Sequence, residues 1–395
     1  MKIRKEDILV VREKFACMQT KEDLLDLLNQ AKDIYYGEAC QPIALNKLTY
    51  YSNPALVKNR YRQFTLKKKT GGVRIINAPD KGLNAILKVL NFVLQCIVEP
   101  HNAATGFILN KSIVDNAKTH VGKNYVYNID LKDFFHSFDR KWVKYGFMIK
   151  PFILGKEREE LAFLLASLCT HPFEIDGQMK NVLPQGSPTS PTLTNHLCLK
   201  LDKKLTSLAR SYKIAYSRYA DDITFSSDHN VYGDKSFLKK LNGIVENDMN
   251  LKLNTKKTRL LKEGYQQSVT GLIVNEKVNV KVSYVKQMRM WLSYWEKYGY
   301  AKAEFIFNKD YTKDKGHVKK GKATLVNVLD GKLEFLKMVK GAENDTYTSL
   351  KRRFDKLSGP ENKVNELLDI WEKEGIDKAK NIYYSNVNQN TDDKK

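Results

Sequence analysis

Ala215-Tyr216-Ser217-Arg218-Tyr219-Ala220-Asp221-Asp222-Ile223-Thr224-Phe225-Ser226 decides how the rest of the chain is read. Its pattern predicts two strands, 213–219 and 222–226, around a tight turn. Two adjacent carboxylates at such a turn repel each other, and a bound divalent cation removes that cost. The plainer alternative is a solvated turn, because Asp is common in turns. Residues elsewhere in the chain choose between the two.

Upstream, Tyr125–Leu131 reads as a strand that ends on Asp130, just before Phe134 and Phe135. If this strand lies beside the Asp221 turn in one sheet, Asp130, Asp221 and Asp222 converge. Such a trio is what two Mg²⁺ ions need to activate a hydroxyl and stabilise a leaving pyrophosphate. Asp133 reads as a helix-start or surface residue. Between the two centres, Leu183-Pro184-Gln185-Gly186-Ser187-Pro188-Thr189-Ser190-Pro191 forms an irregular loop that enters a helix near Thr192. Gly186 permits close backbone approach to a ligand.

Composition points the same way. Lys and Arg number 67 against 45 Asp and Glu, a net charge of +22, which suits a polyanionic partner such as nucleic acid. With 42% hydrophobic and 28% charged residues, wholesale disorder is excluded. A length of 395 residues allows two or three domains. The most apolar run, Leu161–Cys169, is too short to span a bilayer, and the N-terminus has no apolar signal core. The five cysteines are scattered without a Cys-x-x-Cys pair, so neither a zinc ribbon nor a disulfide framework is indicated. These features predict a cytoplasmic protein with reduced cysteines and no membrane partner.

Residues 1–45 read as helical, with Thr20 as an N-cap. A hairpin is predicted around Lys67-Lys68-Lys69-Thr70-Gly71-Gly72, and a helix over Ala85–Val98. Val269–Val274 and Val278–Val282 are expected to pair across Asn275-Glu276-Lys277. After Ser283 the pattern is helical, interrupted by the Lys/Gly/Asp-rich run Lys309–Lys322, and Asn386–Lys395 reads as disordered.

In this order, the Asp130 strand, the Pro-Gln-Gly loop and Tyr-Ala-Asp-Asp resemble the reverse transcriptases. Ala220 favours these enzymes over most viral RNA-copying polymerases, which usually carry Gly-Asp-Asp. The resemblance implies an α+β right-hand polymerase with fingers, a palm built on an antiparallel sheet, and a helical thumb. It suggests a helical extension over 1–50, fingers over 51–124, and palm over 125–282 with a fingers insertion near 140–185. The thumb would follow over 283–358 with an insertion near 300–326, then a tail over 359–395. Asp130, Asp221, Asp222 and the backbone of Leu131 would bind the two Mg²⁺ ions, Asp222 as the weaker ligand. Arg74 and Lys69 (or Lys67 or Lys68) would hold the incoming dNTP, with Gln185 and Gly186 beside the nascent base pair. Phe135 would exclude a ribose 2′-hydroxyl, and Lys257, with Lys256 nearly as suitable, would protonate the leaving pyrophosphate.

Two further strings, Asn116-Ala117-Lys118-Thr119-His120 and Val269-Thr270-Gly271, resemble the bacterial retron reverse transcriptases. There they imply RNA binding by Asn116, Ala117, His120, Val269, Thr270 and Gly271. That resemblance implies a cognate structured noncoding RNA, priming from a guanosine 2′-hydroxyl, and a branched RNA–DNA product with single-stranded DNA. It also implies an effector protein in anti-phage defence. The length has no room for an RNase H or integrase region, so template removal would fall to a host nuclease. Another bacterial defence enzyme, a group II intron-type enzyme, or a ribonucleoprotein scaffold restraining a toxic effector are the alternatives.

Overall fold

A computed structural model gives the fold. It describes residues 4–37, 41–53, 56, 59–67, 73–315, 323–359, 368, 371–372, 375–378 and 380. The chain divides into two compact units, Met1–Lys277 and Val278–Lys395.

The first unit opens with helices Lys5–Cys17, Lys21–Tyr36 and Leu45–Ser52. Thr20 caps the second as predicted. Its hydroxyl accepts from Asp23 N at 3.1 Å, and the Asp23 carboxylate accepts from Thr20 N at 2.9 Å. That helix turns Leu24, Leu27, Leu28 and Ala31 into the core, against the helix Lys81–Ile97. The latter buries residues on several faces, among them Leu83, Leu87, Leu90 and Leu94, because its sequence is apolar nearly all round.

Eleven strands are present among the described residues: β1 Tyr61–Lys67, β2 Val73–Pro79, β3 Tyr125–Lys132, β4 His171–Ile175, β5 Gln178–Val182, β6 Ala215–Tyr219, β7 Asp222–Ser227, β8 Lys252–Leu253, β9 Arg259–Lys262, β10 Ser268–Val269 and β11 Leu272–Ile273. The central sheet runs β6-β7-β3, with β8 and β9 both on the far side of β3, and every pair is antiparallel. Ile129 and Leu131 on β3, with Ile223 and Phe225 on β7, share one face and seat the sheet on the core. The α+β class and the antiparallel sheet expected from sequence are therefore present. β1 and β2 form the predicted basic hairpin, with Leu66 opposite Arg74. Its tip, including Lys68, Lys69 and Thr70, lies outside the described residues, as does the tail segment Asn386–Lys395.

Two expectations are corrected. The hairpin after the central sheet closes earlier than predicted: β10 pairs with β11 across Thr270-Gly271, and Val278–Val282 forms no strand. Thr270 and Gly271 both have positive φ, 46° and 86°, which is the backbone of a two-residue hairpin turn. The Asn275 side chain then ends the ladder. Its Oδ1 accepts from Gln267 N at 2.9 Å and its Nδ2 donates to Tyr265 O at 2.8 Å. Secondly, of the run Lys309–Lys322 expected to break the helices, Lys309–Lys315 is helical, and residues 316–322 lie outside the described residues.

The second unit holds the helices Val282–Lys315, Leu325–Lys340 and Asp345–Ser358, the first broken at Gly299, whose φ is 74°. Trp291 meets Phe307 edge-on at 4.9 Å, and Leu329, Leu333 and Leu350 fill the space between helices. The stretch after Tyr300 is anchored through the buried Phe307. No helix among the described residues is long and apolar enough to cross a membrane.

Candidate active site

β3 and β7 bring the two carboxylate centres together. Asp130 is the register partner of Asp222, and Leu131 N donates to Asp221 O at 3.0 Å. Asp130 is buried. Its Oδ1 accepts from Asn254 Nδ2 at 2.9 Å, and its Oδ2 pairs with Lys257 Nζ at 2.7 Å. Asn254 N also donates to Asp130 O at 2.8 Å, so Asn254 fixes this aspartate from both backbone and side chain. Asn254 opens the sequence segment Asn254-Thr255-Lys256-Lys257-Thr258 that carries both candidate lysines, and its own part, holding Asp130, follows from the fold. Of the two candidate lysines, it is Lys257 that reaches Asp130.

Asp222 reaches solvent, yet protein crowds it. That desolvation, with repulsion from Asp221 and Asp130, pushes its carboxyl up to about 7. Asp221 is raised as well, first by burial and then by Asp130. Lys257 and Arg74 oppose both shifts, so the β2 arginine stands close enough for its charge to reach the aspartates. Among the described residues no three metal-ligating side chains are already gathered on one point, and Asp130 is turned to Lys257. The donor set nonetheless suits a hard divalent cation: carboxylates from adjacent strand ends, two of them held above their ordinary range by burial and by repulsion from the neighbouring carboxylates.

The loop Leu183–Pro191 docks on β2. Asn77 N donates to Gln185 O at 2.8 Å. Gly186 has a φ of 125°, and a Cβ there would come within 2.6 Å of Asn77 O. The glycine is required by this contact with β2, not only by a ligand. Phe134 and Phe138 are core residues, as expected, and Phe135 stays half-buried, 5.5 Å edge-on from Phe134. Asp133 is an exposed surface residue with a φ of 48° and starts no α-helix.

Beside the carboxylates opens a cleft of about 400 Å³, lined by Asp130, Tyr219, Asp222, Lys257, Arg259 and the Thr270-Gly271 turn. Residues 66–275, just over half of the chain, match the family model described as reverse transcriptase (RNA-dependent DNA polymerase). The chain belongs to the reverse transcriptase family.

Within that family it groups with the retron enzymes. It is 37% identical over 237 residues to the retron Mx162 reverse transcriptase of Myxococcus xanthus, covering 54% of this chain and 47% of that protein. To the retron Mx65 reverse transcriptase of the same species it is 34% identical over 244 residues, covering 59% and 56%. To the retron Ec86 reverse transcriptase of Escherichia coli it is 34% identical over 238 residues, covering 58% and 68%. The matches span about half the length of the two Myxococcus proteins.

In this retron-type reverse transcriptase the two retron strings are neighbours, and they divide by burial. Asn116 and Ala117 lie on a short helix, Ile113–Lys118, that packs against β6, β10 and β11. Asn116, Ala117, His120 and Val269 have no exposed surface, so their side chains do not present themselves to an RNA. They form a neutral brace instead. Ser217 Oγ donates to Asn116 Oδ1 at 2.6 Å and Thr105 Oγ1 donates to the same oxygen at 3.0 Å. His120 Nε2 then donates to Ser217 Oγ, and Ser226 Oγ donates to His120 Nδ1, both at 2.7 Å. Burial pushes the imidazole down to about 3, so it is neutral. Only Thr270 and Gly271 reach the surface of the cleft. Thr270 is a β-branched residue in the left-handed region, a strained conformation of the kind that collects at functional sites.

Proposed function

We propose that this chain is an RNA-directed DNA polymerase that copies part of its own structured noncoding RNA into single-stranded DNA. The observation that carries this reading is the placement of Asp130 opposite Asp222 on paired strands, in a cleft whose rim is the Thr270-Gly271 turn. Members of this family work with divalent metal ions. Asp130, Asp221, Asp222 and the Leu131 backbone would hold two Mg²⁺ ions, which when bound supply charge neutralisation at the triphosphate and a lowered pKa for the attacking hydroxyl. Arg74 and Lys69 grip the triphosphate, the arginine with its two-pronged geometry. Lys257 carries the proton delivered to the leaving pyrophosphate, and its ammonium stands 2.7 Å from Asp130 Oδ2. Phe135 selects deoxynucleotides by steric exclusion of a 2′-hydroxyl. Gln185 and Gly186 border the nascent base pair.

On this reading β1, β2 and residues 51–124 serve as fingers, residues 125–282 as palm, and residues 283–358 as thumb, gripping the hybrid through basic residues in a salt-dependent manner. Thr270 and Gly271 meet the cognate RNA, and the buried retron residues hold that turn in place. Priming occurs at a guanosine 2′-hydroxyl, giving a branched RNA–DNA in a bacterial anti-phage system with an effector protein.

Primer extension on an RNA template tests the polymerase reading. Extension with dNTPs and Mg²⁺ is expected, with NTPs incorporated at least about 10²-fold more slowly in the wild type and readmitted by Phe135→Ala. No extension with any divalent cation, or equal use of dNTPs and NTPs, would overturn it.

A further inference from the structure

The turn that presents Asp221 and Asp222 is built on a left-handed alanine. Ala220 has a φ of 56°, a conformation that residues other than glycine enter at a cost, so the surrounding structure has to hold it. Directly behind the turn lies a buried ion pair. Arg218 and Asp202 are both fully enclosed. Arg218 Nε donates to Asp202 Oδ1 at 2.8 Å and Nη2 donates to Oδ2 at 2.7 Å, a two-pronged pair. The Tyr216 hydroxyl donates to Asp202 Oδ1 at 2.7 Å. The remaining guanidinium nitrogen, Nη1, donates to the carbonyl of Ala220 at 3.1 Å.

The backbone of Arg218 is equally fixed. Arg218 N donates to Ala103 O, and Thr105 N donates to Arg218 O, both at 2.8 Å. The next residue on that segment is Gly106, where a Cβ would come within 2.8 Å of Ala220 N. Asn195 Nδ2 holds Gly106 O at 2.9 Å. The turn is therefore wedged between a side-chain donor on its carbonyl side and a backbone that approaches its amide.

A buried ion pair is a poor stability device, because apolar residues of similar volume often serve as well or better. What apolar residues would lack is a donor aimed at the Ala220 carbonyl. We propose that Arg218, locked by Asp202, is a positioning residue for catalysis: it fixes the peptide that precedes Asp221 and so sets the directions in which Asp221 and Asp222 leave the turn. Arg218 acts only through that backbone and touches no substrate. The inference rests on the reading of Asp221 and Asp222 as the metal-holding pair.

The test uses the full chain with Arg218→Lys and with the volume-matched double substitution Arg218→Met/Asp202→Leu. Three quantities are read: thermal melting, primer-extension kinetics per folded molecule, and Mn²⁺ binding by electron paramagnetic resonance without nucleic acid. The double variant is expected to melt near the wild type. Its kcat should fall at least tenfold with the KM for dNTP within twofold, and Mn²⁺ should bind at least fivefold more weakly. Arg218→Lys should move kcat and Mn²⁺ binding in the same directions, and it decides the matter if the double variant does not fold. A folded double variant with kcat and Mn²⁺ affinity within twofold of wild type would overturn the proposal. So would losses that track only the unfolded fraction. If the wild type itself does not extend primers, the polymerase reading fails, while the Mn²⁺ comparison still decides whether Arg218 positions the carboxylates.

Discussion

Two left-handed turns face the same cleft, and they are braced in opposite ways. Tyr219-Ala220-Asp221-Asp222 stands on a fully buried charged pair, Arg218 with Asp202, and displays two carboxylates. Val269-Thr270-Gly271-Leu272 stands against a short helix; the buried polar residues there, Asn116 and, in the turn after the helix, His120, are uncharged, and the hairpin displays little but backbone and one hydroxyl. Rigid charge behind the first turn suits chemistry, in which carboxylates must hold their aim. A neutral brace behind the second suits recognition of an RNA by shape and 2′-hydroxyls. In both, most of the motif letters serve to hold the few residues that face the cleft.

The largest effect should come from breaking the first turn's display. Asp221→Asn should lower primer extension by about 10³-fold or more, as loss of a key electrostatic group does. Its melting temperature should hold or rise, because a repelling charge is removed beside Asp222. A parallel loss of stability would show that the aspartate is structural. Next, Lys257→Gln should slow incorporation by about 10²-fold under single-turnover conditions, the contribution of a positioned acid. Retention of the wild-type rate would return the role to Lys256.

The second turn's brace should read out in stability. His120→Ala leaves the hydroxyls of Ser217 and Ser226 without their partner and opens a cavity, at a cost of about 3 kcal/mol in urea denaturation. Because the folded-state pKa of His120 lies near 3, below the ordinary value of 6.5, its contribution is complete above pH 6.5 and is lost as pH falls toward 3. Between pH 7 and pH 5 this amounts to about 2 kcal/mol. His120→Gln should remove that share of the slope. His171, pushed down to about 4, and His136 and His196, lowered by burial, act in the same direction, while Asp222, held up at about 7, acts in the opposite one. An unchanged slope in the variant would mean that His120 is not buried as described. The smallest effect belongs to Thr270→Gly, which frees a strained β-branched residue but loosens the unfolded chain. Stability should change by no more than about 1 kcal/mol, in favour of glycine. A clear destabilisation would mean that the Thr270 side chain supports the hairpin more than its strain opposes it.

Local signals carried the sequence reading as far as they reached. The strands about Asp221, the strand ending on Asp130 and the Thr20 cap are written in alternation and turn chemistry, which neighbouring residues decide. Asp176-Gly177, with φ of 51° and 74°, is a hairpin signal that marks the β4–β5 pair, and Ser112 with Asp115 forms the capping box of the short helix before His120. Both signals lie in the sequence and are local. Asp202 could not be found in the same way. It lies on a charged, amphipathic helix, Leu199–Ser211, where a solvated face is the natural expectation, and only the packing of that helix on β6 brings it to Arg218. Burial of Asn116 and His120 is equally a property of the assembled sheet.

On the proposed reading, this retron-type chain makes DNA from its own RNA with the Asp130, Asp221 and Asp222 site. The most direct measurement is of the nucleic acid that copurifies with the protein expressed together with its native flanking DNA. The wild type should carry a discrete single-stranded DNA that resists RNase and shifts in size after debranching, and Asp221→Asn should carry none. Heterogeneous DNA, no DNA, or the same discrete DNA in the Asp221→Asn variant would contradict the account.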